Sequence, residues 1–87
     1  MLDIIKLAMR YKTDVFDNEI NMYINSCITN LVHAGVNPLK IVESDDAIIN
    51  TITSFVKWQM NFENRGAEWE KIYKDLRLSI TLDSNYK

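Results

Sequence analysis

The sequence predicts an all-α fold, a small bundle of about four helices, from three observations. Apolar residues recur every three or four positions in successive segments, as on the buried faces of helices. No segment alternates apolar and polar residues over the length of a strand. Only two glycines and one proline interrupt the 87 residues, which is typical of long helices joined by few turns. Residues 1–87 are short enough to form a single domain.

The first two helices are indicated by apolar stripes of helical period. The first helix should end near Lys12, and Thr13 or Asp14 is the expected cap of the second. The stripe of the second helix is the clearest in the chain. Its members are Phe16, Ile20, Ile24, Cys27, Ile28 and Leu31. Gly35 follows this stripe and is predicted to close the helix in the left-handed conformation.

A connector, residues 36–43, leads to the third helix and should be extended before Pro38. Ser44 is the predicted N-cap of the third helix, which should run from about Asp45 to Phe62. Two acidic residues after the cap suit the positive end of the helix dipole.

The fourth helix is predicted after Asn64, a plausible cap, and should reach about Leu82. Its predicted apolar face contains Trp69, Ile72, Tyr73, Leu76 and Ile80. Two ion pairs at i,i+4 are expected on the opposite face, between Glu70 and Lys74 and between Lys71 and Asp75. Residues 83–87 are predicted to be a tail whose removal leaves the fold intact.

The third helix carries more apolar surface than one buried face needs. At about 100° per residue its apolar arc spans roughly 200°, against about 100° for a surface helix. The arc contains Ile48, Ile49, Ile52, Phe55, Val56, Trp58, Met60 and Phe62, with Gln59 among them, and Thr53, Ser54, Lys57 and Asn61 fill the remainder. Either this is the central helix of the bundle, or part of the arc, with Trp58 foremost, is presented to another subunit. Periodicity does not choose between the two.

The charge is small and unevenly distributed. The formal net charge is −2, which disfavours a simple nucleic-acid binder, because cationic contacts to phosphates dominate DNA affinity. Residues 14–46 hold six carboxylates and only Lys40 as a cation, whereas residues 1–12 are mostly basic. The asymmetry is either that of solvated faces or that of oppositely charged surfaces that meet between neighbouring copies.

No catalytic, cofactor or metal site is expected, and the chain is not expected to be an enzyme. Cys27 and His33, the only thiol and the only imidazole, lie about 240° apart around one helix and share no face. Zinc would need about four ligands, and no calcium loop or phosphate-binding glycine loop occurs. A lone cysteine favours a reducing compartment, and no apolar run approaches the ~20 residues of a membrane span.

The chain resembles the small head–tail connector, or adaptor, proteins of tailed bacteriophages, often described as DNA-packaging or head-completion proteins. In that family a short helix ending in arginine precedes a T-x-x-F-D-x-E-I entry into a long helix that closes at A-G. The matching residues in the first half are Arg10, Thr13, Phe16, Asp17, Glu19, Ile20, Ala34 and Gly35. In the second half they are Ala47, Ile48, Val56, Lys57, Phe62, Asn64, Tyr73, Leu76, Ile80, Ser84 and Tyr86. Three departures are modest: Phe55 stands for a usual tyrosine, Arg65-Gly66 for a frequent proline, and Ile80 for a common leucine.

The resemblance implies a structural role in the virion. Family members are helical proteins that form a ring, usually of twelve copies, under the portal protein. The ring extends the DNA channel, helps retain packaged DNA and docks a tail-side stopper or head-closure protein. Double-stranded DNA would pass without specific binding, no membrane would be involved, and assembly would take place in the bacterial host cytoplasm.

Candidate residues for these contacts fall into two groups. The candidate subunit or portal interface is Trp58, Met60, Phe62 and Tyr86, and the candidate channel-facing acidic residues are Glu43, Asp45 and Asp46. The alternative function is that of a small helical DNA-binding or regulatory protein. Lys71, Lys74 and Arg77 on the fourth helix would then contact phosphates, although Glu68, Glu70 and Asp75 dilute their charge.

Overall fold

The computed structural model describes residues 1–87 and contains four α-helices and no strands, as the sequence predicts. The α-helices are α1 (Leu2–Met9), α2 (Asp17–His33), α3 (Asp46–Gln59) and α4 (Gly66–Leu82). Three short 3₁₀ turns, Pro38–Lys40, Phe62–Asn64 and Ser84–Tyr86, occupy the connections and the C-terminus. The predicted all-α bundle is therefore confirmed.

Helix α3 lies at the centre of the bundle. It packs most extensively against α4, next against α2, and also against α1. Its residues from Ile48 to Val56 are buried with the exception of Asn50, so nearly its whole circumference is enclosed. The first explanation of the wide apolar arc, a central helix, accounts for most of that arc.

The hydrophobic core draws on all four helices. Its buried members are Ile5, Met9, Ile20, Ile24, Cys27, Leu31, Val36, Ile48, Ile52, Phe55, Val56, Tyr73 and Ile80. Burial of a branched apolar side chain contributes about 1.5–3 kcal/mol relative to exposure, so these residues supply most of the driving force for folding. The predicted stripe of α2 is confirmed except at Phe16, which precedes the helix and is exposed.

The end of α2 follows the prediction closely. Gly35 has φ 101°, the left-handed region that glycine adopts at low cost. Its N–H donates to the carbonyl of Val32, and the N–H of Val36 donates to that of Leu31, each at 3.0 Å. Leu31 and Val36 are both buried in the core, so the turn that satisfies the last carbonyls also fixes an apolar contact.

Two predicted caps at the starts of helices are wrong. Thr13 accepts a hydrogen bond from the N–H of Val15 at 3.3 Å, so it stabilises a turn, and α2 begins only at Asp17. Asp45, not Ser44, caps α3: its carboxylate accepts from the N–H of Ile48 at 3.2 Å. Aspartate caps as well as serine does, and local preference alone does not distinguish neighbouring candidates.

The junction of α3 and α4 also differs from the prediction. Helix α3 ends at Gln59, not Phe62, because the backbone turns left-handed at Asn61 (φ 47°). The side chain of Asn61, rather than that of Asn64, accepts from the first N–H of α4, that of Gly66, at 2.9 Å. A Cβ at Gly66 would lie 2.7 Å from the same oxygen, so the glycine is needed for this close approach.

The connector is extended at Asn37, directly before Pro38, as predicted. The C-terminal segment, however, is not a free tail, because it is ordered against the connector. Asn37 caps the turn that starts at Pro38, and its N–H donates to the carbonyl of Tyr86 at 2.6 Å. The Tyr86 hydroxyl donates to the carboxylate of Asp45 at 2.8 Å, and its ring packs against the core. Tyr86 brings both apolar area and a hydroxyl that needs a partner, and Asp45 supplies that partner.

Candidate functional site

The four residues predicted to form an interface are all half-buried within a single copy. Trp58 packs edge-on against Phe55 at a centroid separation of 5.7 Å and lies 5.8 Å from Tyr73. Met60 contacts the core, and Phe62 packs edge-on against Tyr11 at 6.0 Å. Each residue therefore has an internal packing role, and only its outer edge is free for a partner.

The three predicted channel-facing carboxylates differ in what they contact. Glu43 forms an ion pair with the amino group of Met1. Asp45 caps α3 and accepts a hydrogen bond from the Tyr86 hydroxyl, so both of its carboxylate oxygens are hydrogen-bonded within the chain. Asp46 is exposed and has no ion-pair partner. Of the three, Asp46 is the one with a free carboxylate.

A groove crosses α3 between α1 and α4, and sequence reasoning missed it. Its volume is about 400 Å³, and we call it the α1–α4 groove. It is lined by Ile4, Ala8, Ile49, Asn50, Thr53, Ser54, Lys57, Trp69, Ile72 and Leu76. Ile4 and Ile72 on its two rims are each 39% exposed, so the groove presents apolar surface to solvent. Its lining comes from three helices, and periodicity within one helix does not reveal such a combination.

Two polar side chains that lie outside the predicted apolar arc of α3, Thr53 and Ser54, are buried. Ser54 donates to the carbonyl of Asn50 at 2.8 Å, one turn back in its own helix, which makes its burial inexpensive. Thr53 is only 8% exposed, and its hydroxyl has no partner. The indole N–H of Trp69 is likewise buried and unpaired. Buried polar groups are normally hydrogen-bonded, so two unpaired groups in one groove are unusual.

Lys57 adds a cation to the same groove. Its ammonium lies 4.2 Å from the ring centroid of Trp69 and 5.2 Å from that of Phe62, and it forms no ion pair. Burial lowers the pKa of this ammonium, and the negative charge of Glu63 partly opposes the change. The indole N–H and the ammonium are donors only, and the Thr53 hydroxyl has a proton to donate. The groove therefore fits an acceptor, of which a carboxylate is the strongest common example.

The outer face of α4 carries a second exposed surface, formed by Asp75, Leu78 and Leu82, which we call the α4 ridge. Leu78 is 56% exposed and Leu82 is 74% exposed. The predicted pair of Glu70 with Lys74 is present at 2.8 Å, whereas that of Lys71 with Asp75 is absent. The ridge therefore combines two exposed leucines with one unpaired carboxylate.

The cations that a DNA-binding role would use on α4 do not form one free surface. Lys74 is paired with Glu70. Arg77 donates to the side-chain carbonyl of Asn30 at 3.0 Å and thereby links α4 to α2. Only Lys71 of the three has neither contact.

The remaining polar groups show no reactive arrangement. Cys27 is fully buried, and desolvation raises the pKa of its thiol to about 12, so it behaves as a small core residue. His33 is exposed at the last position of α2. No group of three metal-ligating side chains occurs. No helix combines the length and the apolar character that crossing a bilayer requires.

Comparison with known proteins returned one match. The model of a family described as "Phage connector protein" matches residues 1–87, the whole chain. Neither the curated proteins nor the solved structures gave a match.

Proposed function

Because the chain belongs to the phage connector protein family, we propose that it is a head–tail adaptor that assembles as a ring beneath the portal protein. In this role it extends the DNA channel, helps retain the packaged genome and docks a tail-side stopper protein. Its location would be the head–tail interface of the virion, after assembly in the host cytoplasm. The observation that carries the proposal is the family match over all 87 residues.

The distribution of exposed apolar side chains supports assembly through several surfaces. Apart from Met22, which is isolated on the polar face of α2, they are Ile4, Leu7, Val15, Phe16, Leu39, Val42, Ile72, Leu78 and Leu82. They belong to α1, to α4 and to the two connectors that flank α2, rather than to one face. A ring member must contact two neighbours and two further proteins, so separated contact surfaces are what the role requires.

The charge of the chain is compatible with a DNA channel. A net charge of −2 gives little general affinity for phosphates, so DNA slides without being held. We propose Asp46 as the main channel-facing carboxylate of the acidic segment, with Glu43 beside it and Asp45 in a supporting structural role. The exposed edges of Trp58, Met60, Phe62 and Tyr86 stay candidate contacts with the portal protein or a neighbouring copy.

The experiment uses DNA-filled, portal-bearing heads that lack this protein. Adding the purified chain should give co-sedimentation with the heads and should protect their DNA from added nuclease. Heads without a portal are the control and should not bind. Failure to bind portal-bearing heads, together with salt-dependent retardation of duplex DNA in a gel, would overturn the adaptor role in favour of a DNA-binding regulator.

A further inference from the structure

The three donors of the α1–α4 groove identify the chemistry of what it binds. Thr53 and Trp69 each bury an unpaired donor, and Lys57 brings a cation without an ion-pair partner. An apolar segment bearing one carboxylate would pair with Lys57 and Trp69 at one end of the groove and cover Thr53 and the exposed rims at Ile4 and Ile72. Burial of a carboxylate has a large desolvation cost, which only hydrogen-bond donors or a cation at the buried position can offset.

The α4 ridge has this chemistry. It carries one unpaired carboxylate, that of Asp75, followed by Leu78 and Leu82 one and two turns later. Among the other exposed apolar segments, the turn around Leu39 and Val42 is also acidic. Its Glu43, however, is paired with the N-terminal amine, and Asp45 is paired with Tyr86. Asp46, and Asp3 near the exposed Leu7, are unpaired, but each lies in the first turn of a helix, where it complements the helix dipole. The ridge is the better complement to the groove.

The dimensions of the two surfaces also agree. The floor of the groove along α3 runs from Ile49 to Lys57, nine residues whose ends are about 12 Å apart at 1.5 Å of rise per residue. The ridge runs from Asp75 to Leu82, eight residues whose ends are about 10 Å apart. With Leu82 over Ile49, the carboxylate of Asp75 reaches the end of the groove where Lys57 lies.

The two surfaces lie on different sides of one copy. Of the α4 residues that line the groove, Ile72 lies on average about 90° and Leu76 about 130° around the helix from the three ridge residues. A copy whose ridge occupies a neighbour's groove therefore keeps its own groove open for the next copy. Such a head-to-tail contact repeats around a ring, whereas a self-complementary contact stops at a dimer.

We propose that the α4 ridge of one copy lies in the α1–α4 groove of the next, with Asp75 accepting from Lys57 and Trp69 at one end of the groove and Leu78 lying over Thr53. This inference rests on the proposed ring and names the surfaces that hold it together. The partner in this contact is a second copy of the chain, not the portal protein.

The first test mixes two variants that each lose one surface. Ile72→Arg places a charge in the groove, and the double variant Leu78→Arg/Leu82→Arg places charges on the ridge. Each alone should be monomeric in a sedimentation-velocity concentration series. A mixture should form a 1:1 dimer and nothing larger, because only one intact ridge and one intact groove can meet.

Met22→Arg, on the exposed polar face of α2, is the control and should associate as the wild type does. If the mixture contains no dimer while the wild type self-associates, the inference is overturned.

A second test covers a chain that associates only on the portal. The variant Ile72→Cys/Leu78→Cys should give a ladder of disulfide-linked copies when oxidised on portal-bearing heads, since a bridge needs the two Cα atoms within about 7 Å. The pair Met22→Cys/Leu78→Cys should give none. If the wild type is monomeric in solution and the Ile72→Cys/Leu78→Cys variant forms no ladder on the heads, the inference is overturned. Portal binding measured on the same heads shows whether the adaptor role survives that failure.

The proposed ion pair between Asp75 and Lys57 can be tested by charge reversal, with the strength of self-association as the measurement. Asp75→Lys should weaken self-association about tenfold or more, since close charge pairs across interfaces have coupling energies of this size. Adding Lys57→Asp to the same chain should restore part of the loss. A double variant as weak as the sum of its parts would contradict the proposed pairing.

Discussion

Helices α3 and α4 show how differently two amphipathic segments can use their apolar residues. In α3 eight of fourteen residues are buried, including Thr51, Thr53 and Ser54. In α4 only Gly66, Tyr73 and Ile80 of seventeen are buried. The segment richest in apolar residues therefore hides nearly all of them in its own bundle, while the more polar helix leaves two leucines in solvent. Apolar content alone does not locate the surface that other proteins contact.

The difference arises from position in the bundle. Because α3 contacts all three other helices, its polar residues become buried as well. Thr51 and Ser54 tolerate this by donating to the carbonyls of Ala47 and Asn50 at 2.7 and 2.8 Å. Helix α4 packs mainly on α3, so its far side has no internal partner. Leu78 and Leu82 on that side are available for assembly.

Truncation of one apolar side chain in each helix is the most direct test of the difference between α3 and α4. Ile52→Ala in α3 should lower the free energy of unfolding by about 2–5 kcal/mol, because it removes a fully buried side chain and leaves a cavity. Leu82→Ala in α4 should change it by less than about 0.5 kcal/mol, because Leu82 is exposed. Urea denaturation followed by circular dichroism measures both. Equal losses would remove the distinction between the two helices.

Trp58, near the end of α3, is intermediate between the buried residues of α3 and the exposed leucines of α4. Its ring packs internally, and its outer edge is exposed to solvent. Trp58→Ala should destabilise the fold by about 2–4 kcal/mol, since the indole packs against both Phe55 and Tyr73. Circular dichroism beside sizing separates this loss from any loss of assembly. Unchanged stability with weakened portal binding would show instead that Trp58 acts chiefly as a contact residue.

Removal of residues 83–87 should destabilise the bundle, unlike removal of a free tail. It deletes the hydrogen bond of Tyr86 to Asp45 and that of Asn37 to the Tyr86 carbonyl, for a loss of about 2–3 kcal/mol. Tyr86→Phe keeps the ring and should lose about 1–2 kcal/mol. Thermal unfolding of the two variants beside the wild type measures both losses, and an unchanged midpoint after truncation would refute the docked segment.

The junction of the two helices should show the smallest effect. Gly66→Ala is expected to cost about 1 kcal/mol, because its Cβ would press on the Asn61 oxygen that accepts from the same residue's N–H. Gly35→Ala is a useful comparison, since there the strain is purely that of a left-handed φ with open space around it. Chemical denaturation resolves the two. A stabilising Gly66→Ala would show that Asn61 moves aside freely.

Much of the fold could be predicted because the relevant signals are local. The stripe of α2 and its closure at Gly35 depend on residues within a few positions of each other, and both were predicted correctly. The choice of Asp45 over Ser44 as the cap, and the docking of Tyr86, were missed. Serine and aspartate are equally good caps locally, and the docking of Tyr86 depends on a contact with Asp45, forty-one positions away, which no local pattern encodes.

The groove could not be predicted for the same reason. Its donors come from Thr53 and Lys57 on α3 and from Trp69 on α4, and each looks ordinary within its own helix. Thr53 lies outside the apolar arc that periodicity predicts for α3, and it is buried because α1 packs across α3 at this point. The predicted interface residues are three aromatic residues and Met60, types that are enriched in interfaces, but in this bundle they mainly serve internal packing.

Hydroxyl-radical footprinting of the chain, free and bound to portal-bearing heads, tests the central claim most directly, because it reports the solvent access of individual side chains. The account predicts that Ile72, Leu78 and Leu82 become protected on assembly, while Met22 on the polar face of α2 stays reactive. If the bound chain left Leu78 and Leu82 as reactive as in the free protein, the exposed leucines of α4 would have no part in assembly, and the account would be contradicted.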